Sequence, residues 1–228
     1  MPKSAVVFDA YGTLFDVAAA ARRAAAAPGR ERLAAREGEL SRIWRDKQVG
    51  YSWWRAVTGD YASFWQVTQD ALDHALAATG LDGDPPLRDA LLTLYWELAA
   101  YPEVASVLAS LRAAGRRTAI LSNGSPDMLA GAVEAAELGR ALDHVLSVEE
   151  VGTFKPDARV YDMVEHHTGL PPAEVLFVSA NGWDAAAAAG YGFATLWVNR
   201  AGAPPERLPH APAHEAADLT AVPGLAAA

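Results

Sequence analysis

The chain contains no cysteine. Disulfides, thiolate nucleophiles and Cys-based zinc sites are therefore excluded at once. Long apolar runs are missing too, and nothing approaches the roughly 18 apolar residues in a row that a membrane-spanning helix needs. The opening stretch, MPKSAVVFDAYGTLF, has an apolar segment too short for a signal peptide and broken by Asp9. No membrane partner is expected, and a cytoplasmic location follows by default. Lysine is scarce, with Lys3, Lys47 and Lys155 the only three, so a lysine inside a motif calls for an explanation. Positive charge as a whole is in deficit: 19 Lys and Arg against 28 Asp and Glu leave a net charge of −9. Sequence-independent nucleic-acid binding needs clustered cations and is not expected. A small anionic substrate is still allowed, because a pocket can be locally positive inside an acidic protein.

What is present is ordinary for a globular chain: 228 residues, 51% hydrophobic and 21% charged. That suffices for one sizeable domain or for a core with a smaller insert. Ala5 to Phe8 (AVVF) reads as a buried parallel strand ending in a polar residue, Asp9. Comparable runs at Thr118–Leu121, Val175–Val178 and Ala194–Val198 each precede a polar turn. Helical patterns lie near 104–114, 127–136, 158–168 and 183–190. Strands alternating with helices imply a parallel sheet covered on both faces, with ligands bound beyond the carboxyl ends of the strands.

The stretch from about Val17 to Ala100 has no convincing strand and is rich in Ala, Leu, Arg and Glu. Turn signals at Pro28-Gly29, Thr58-Gly59-Asp60 and 80–86 divide it into about four helices. It reads as a helical cap, residues 17–99, inserted into a core of 1–16 and 100–228. The tail after Gly202, with five prolines, is expected to be an irregular wrap with a frayed end. The six histidines show no paired metal spacing, and His166-His167 reads as a solvated helix end.

Four polar clusters fall where strands should end: Asp9-Ala-Tyr-Gly-Thr13, Ser122-Asn123, Lys155-Pro156 and Ser179-Ala-Asn-Gly-Trp-Asp184. Singly, each has a structural explanation: a turn former, a helix cap, a surface Lys-Pro turn, a first-turn acid favoured by the helix dipole. Their joint order and chemistry do not. FDAYGTLFD, LSNGSP, FKPDARVY and FVSANGWDA, with IWRDKQVGYSWW in the cap, resemble the haloacid dehalogenase superfamily and, within it, the L-2-haloacid dehalogenases. The resemblance covers essentially the whole chain. It implies an α/β fold: a Rossmann-like parallel-sheet core with an inserted helical cap domain.

Most of that superfamily are magnesium phosphotransferases whose first loop carries a second Asp as general acid. Here that position is Tyr11, and the last loop keeps Asp184 as its only acid. Phosphate esters leave poorly without a proton, whereas halide needs none. The resemblance therefore implies metal-free hydrolysis of small 2-haloacids, with no cofactor. Asp9 would displace halide from C2 with inversion, and water would then cleave the aspartyl ester. Carried over by motif, Arg45 receives the halide, Ser122 and Asn123 hold the substrate carboxylate, and Lys155 supplies the charge that favours ionised Asp9. Thr13, Tyr161, Ser179, Asn181 and Asp184 position these groups and the water, with Asp184 as water activator. Tyr11, Val49, Phe64 and Trp183 wall the space around C2. Packing serves equally well to explain Tyr161 and Phe64, and Trp44, Trp53, Trp54, Trp65 and Trp96 read as core or interface residues.

The alternatives are a phosphatase or other phosphotransferase of the superfamily, disfavoured by Tyr11, and an idle binding relative, disfavoured because every polar position is filled. Asp46, beside Arg45, departs from the uncharged Gln common in the family. It would oppose an anion unless the helix turns it away. A homodimer is expected from the family and the aromatic-rich cap.

Overall fold

A computed structural model describes residues 2–228. The apolar run Ala5–Phe8 forms strand β1 and is fully buried, as a strand without polar alternation must be. The other strands are β2 (Arg117–Ser122), β3 (His144–Ser147), β4 (Val175–Ser179), β5 (Ala194–Val198) and β6 (His214–Ala216). They lie in the order β3-β2-β1-β4-β5-β6, and every neighbouring pair is parallel. Val7 sits opposite Ala119 on one side and Phe177 on the other, so β1 is central. The strand order reverses between β1 and β4, which opens a crevice at their carboxyl ends. Asp9, Asn123 and Ala180 follow the last residues of β1, β2 and β4 and face one another across it.

Five helices lie between β1 and the return to the sheet: α1 (Ala19–Ala25), α2 (Glu31–Ala34), α3 (Glu37–Thr58), α4 (Phe64–Thr79) and α5 (Pro85–Trp96). Sequence reading counted about four, because the short α2 has no turn signal separating it from α3. Local chemistry sets the other boundaries. Gly59 and Gly80 end α3 and α4 in the left-handed conformation, with φ of 77° and 66°. The Ser63 hydroxyl accepts from Gln66 N and the Asp84 carboxylate from Leu87 N, capping α4 and α5. Leu40, Trp44, Gln48 and Ser52 form the buried stripe of α3, spaced four residues apart. This stripe packs on α4, and the Trp44 indole N–H donates to Thr68 O at 2.9 Å.

The sheet is covered by α6 (Val104–Ala113), α7 (Pro126–Ala135), α8 (Ala158–Thr168) and α9 (Gly182–Tyr191). The tail corrects the expectation of an irregular wrap with a frayed end. It is irregular only as far as β6, and α10 (Val222–Ala227) then buries Val222 and Ala226. Lys3 N donates to Ala226 O at 2.9 Å, which pins the chain end to the first strand. No helix among the described residues is long and apolar enough to cross a membrane.

Candidate active site

The loop after β1 places Asp9 in the crevice, with its backbone N–H bonded to Val178 O at 2.9 Å. Three side chains hold its carboxylate. Lys155 Nζ donates to Oδ1 at 3.2 Å, while Thr13 Oγ1 and Asn181 Nδ2 both donate to Oδ2 at 2.9 Å. Thr13 Oγ1 in turn accepts from Ala180 N at 2.8 Å, so the loops after β1 and β4 brace each other. Charge-assisted bonds of this kind fix a carboxylate more firmly than neutral ones.

Lys155 is fully buried and also donates to Asp184 Oδ2 at 2.8 Å. Burial opposes its charge, but Asp184 and Asp9 outweigh that and raise its pKa above the ordinary lysine value. One ammonium thus serves two carboxylates. Burial therefore raises the Asp184 pKa, attraction to Lys155 offsets only part of this, and repulsion from Asp9 adds to it. Tyr161 OH donates to Asp184 Oδ1 at 2.8 Å, and burial together with Asp184 keeps that phenol protonated far above its usual range.

The opposite wall comes from α3. Arg45 Nη1 donates to Gln48 Oε1 at 3.1 Å, and Nη2 donates to Tyr11 O at 3.2 Å and Asn181 Oδ1 at 3.1 Å. All three acceptors are neutral, and among the described residues Arg45 has no carboxylate partner. Its positive charge is uncompensated. Gln48 is itself held by Tyr95 OH and Thr68 Oγ1. Asp46, one residue on, is 65% exposed and pairs with Arg42 at 3.2 Å, away from the site.

Asp9, Tyr11, Arg45, Val49, Ser52, Phe64, Ser122, Asn123, Lys155, Asn181 and Trp183 line one small cavity. Of these, Ser52 was not anticipated, nor were Gln48, Tyr95 and Arg200, which brace it. The signal was available: a Gln and a Ser on an otherwise apolar stripe, three and seven residues after Arg45. Arg200 Nη2 donates to Thr13 O at 3.1 Å and lies in the turn after β5, where no pattern marks it. Ser122 Oγ accepts from Gly124 N at 3.0 Å, which leaves its proton free to donate. Asn123 Oδ1 accepts from Lys155 N at 3.0 Å, which leaves its amide NH₂ free likewise. Thr13, Tyr161, Ser179 and Asp184 stand behind this cavity rather than on its wall. Ser179 Oγ only accepts from Asn181 N, at 3.1 Å, and so shapes the last loop.

Tyr11 stacks on Tyr95, with ring centroids 5.6 Å apart, and burial raises its phenol far above its usual pKa. It seats against Gly124, where an added Cβ would lie 2.7 Å from Tyr11 Cε2. Of the tryptophans read as core or interface residues, Trp44 is buried, Trp65 packs on Trp96 at 4.7 Å, and Trp53 and Trp54 are exposed.

The donor set does not fit the magnesium ion used by phosphotransferases of this fold. Lys155 Nζ already bridges Asp9 and Asp184, both Asp9 oxygens are engaged, and Arg45 occupies the Tyr11 carbonyl. A dication there would face two cations with no free carboxylate oxygen pair. Away from this cavity, Glu150, His166 and His167 bring ligand atoms within 4.8 Å of one another at the surface. The two histidines lie in the last turn of α8, His166 exposed to solvent and His167 Nε2 2.9 Å from Glu150 Oε2.

Known proteins share this architecture. A family model described as haloacid dehalogenase-like hydrolase matches residues 3–192. The (S)-2-haloacid dehalogenase 1 of Pseudomonas sp. (strain CBS-3) is 44% identical over 98% of this chain and 96% of its own. The (S)-2-haloacid dehalogenase 4A of Burkholderia cepacia is 45% identical over 89% and 85%. A solved L-2-haloacid dehalogenase from Xanthobacter autotrophicus, with chloropropionic acid covalently bound, superposes with a TM-score of 0.86 at 39% identity, covering 98% of both chains.

Proposed function

The chain belongs to the haloacid dehalogenase-like hydrolases, in their L-2-haloacid dehalogenase branch, and on that premise we propose that it hydrolyses small L-2-haloacids to D-2-hydroxy acids through an ester on Asp9. The observation that carries this reading is the pairing, across one cavity, of a triply held carboxylate with a guanidinium that lacks an anionic partner. Such an enzyme needs one fixed nucleophile and one free positive charge, and both are present.

In the first step an Asp9 oxygen forms a bond to C2 while the carbon–halogen bond breaks, its electron pair leaving as halide toward Arg45. Attack from the face opposite the halide inverts C2. Ser122 and Asn123 receive the substrate carboxylate through their free hydroxyl and amide protons, beside the Lys155 backbone. The helical segment 17–99 acts as a cap that brings Arg45 over the core, 1–16 and 100–228, and keeps water out of the displacement. In the second step water attacks the Asp9 side-chain carbonyl and passes its proton to Asp184. The bond from that carbonyl carbon to the hydroxy-acid oxygen breaks as that oxygen takes back the proton held by Asp184, and Asp9 is regenerated as a carboxylate once the second proton of the water passes to solvent. Burial makes Asp184 a stronger base than an exposed Asp, and each of its bonded oxygens keeps a second lone pair. Tyr11, whose buried phenol gives up its proton less readily than a free one, is a much weaker acid than the carboxylic acid of the phosphotransferases, which argues against phosphate-ester chemistry. A homodimer belongs to the same proposal and is tested by sedimentation equilibrium.

A single turnover of L-2-chloropropionate in ¹⁸O-water with excess enzyme tests the ester. The D-lactate formed should carry unlabelled oxygen, and the peptide containing Asp9 should gain the label. Label in the lactate during that first turnover would demote Asp9 to a general base. Retained configuration would exclude the single displacement.

A further inference from the structure

Next to the catalytic cavity lies a much larger apolar one of about 470 Å³. It falls within the roughly 300–1,000 Å³ typical of small-molecule sites. The two are back to back. Trp183 lines both, and adjacent residues divide between them at two further places: Ser52 and Lys155 face the catalytic side, Trp53 and Pro156 the apolar side. Trp183 is therefore part of the partition between them. The catalytic cavity has room for only about 10 Å³ of solvent, the lower end of the roughly 10–15 Å³ that holds a single water. A substrate with C2 at Asp9 has no space there for a longer chain.

We propose that the larger cavity is the acceptor for the apolar chain of the substrate beyond C3, with the Trp183 indole as the gate. The inference rests on the dehalogenase reading and names its substrate class: 2-haloacids with linear alkyl chains longer than propionate. Three observations support it. Trp183 meets Trp53 edge to face on the apolar side, at 5.3 Å and 87°, and no hydrogen bond among the described residues fixes its indole. The mouth is open, since Trp53 is 39% and Leu208 45% exposed. Leu208, Pro209 and His210 form the outer wall, where the His210 ring packs against Gly190 of α9 so closely that an added Cβ would lie 2.5 Å from its Cδ2.

The test measures kcat/KM for L-2-bromo acids from three to eight carbons in the wild type, Ala56→Phe and Leu208→Trp. Both variants fill the apolar cavity without touching the catalytic wall, and Leu208 lies on the exposed tail, where a larger side chain does not threaten folding. In the wild type, each methylene that enters should raise kcat/KM about threefold to fourfold. Filling should cut the hexanoate-to-propionate ratio about tenfold or more, with propionate turnover within about twofold of wild type. Octanoate should likewise inhibit propionate turnover more tightly than propionate-sized acids do, and filling should abolish that advantage. A ratio unchanged by both variants, or a wild type that rejects all chains beyond three carbons, overturns the proposal while the function stands. A wild type inert toward 2-bromopropionate as well overturns the function, and this inference with it.

Discussion

The two walls of the catalytic cavity solve opposite electrostatic problems. On the sheet side, Asp9 and Asp184 share Lys155, and Thr13, Asn181 and Tyr161 supply the remaining donors, so every charged group is hydrogen-bonded within the protein. On the α3 side, Arg45 is held by carbonyl oxygens alone and keeps its charge unspent. Buried charges are normally paired, because desolvating them is expensive. An unpaired guanidinium at the mouth of a cavity therefore marks where an anion is meant to arrive. The closed network opposite it marks where geometry must not change.

The sharpest way to break this contrast is at its most saturated point. Asp9→Asn removes the nucleophile while keeping its shape, and halide release should fall by at least about 10⁴-fold. Mass spectrometry over days guards against deamidation. Asp184→Asn comes next. Loss of a general base costs about 10²–10⁴-fold in its step, so the ester should accumulate as added mass on the Asp9 peptide. Because the Asp184 pKa is raised, the base is lost to protonation as pH falls through a value above the ordinary carboxylate range. The acid limb of kcat should lie there in the wild type and vanish in the variant.

Lys155→Met leaves two buried carboxylates uncompensated and should cost about 3–5 kcal/mol in denaturant unfolding. Its pKa is raised, so its contribution is present below the ordinary 10.5 and lost as pH climbs through the higher folded value. The variant should lack that alkaline loss of stability. Gly124→Ala tests the joint between the walls, because Tyr11 seats against Gly124 and offers its carbonyl to Arg45. Overpacking there should cost about 1–3 kcal/mol and lower kcat/KM. The smallest effect belongs to Asp46→Gln. Its pair with Arg42 is exposed and of the i,i+4 kind, worth about 0.3–0.5 kcal/mol. Turnover should change less than twofold; a larger change would mean that Asp46 reaches the halide site after all.

Most of the sheet wall was legible in the chain itself, since Asp9, Ser122, Lys155 and Asn181 each follow an apolar run or sit in a polar turn of recognisable order. The α3 wall was harder to read. Arg45 stood out only by the motif around it, and Ser52 and Gln48 looked like ordinary polar helix residues until the buried stripe was seen. The edge strands escaped altogether. His144–Ser147 and His214–Ala216 are short and half exposed, and they become strands because β2 and β5 present unpaired backbone beside them. Nothing local distinguishes such a segment from a loop.

Sequence alone determined what is encoded within a few residues. Continuous apolar runs made buried strands, glycines at 59 and 80 stopped helices, and Tyr at position 11 set the first loop apart from the phosphotransferase pattern. Only the tertiary structure decided what depends on distant partners. It turned Asp46 outward while its neighbour Arg45 faces the site, placed Lys155 between Asp9 and Asp184 across 146 and 29 residues of chain, and set Trp183 on the wall of both the catalytic cavity and the apolar one. Side-chain direction and through-space charge are set by packing, and packing is a property of the whole fold.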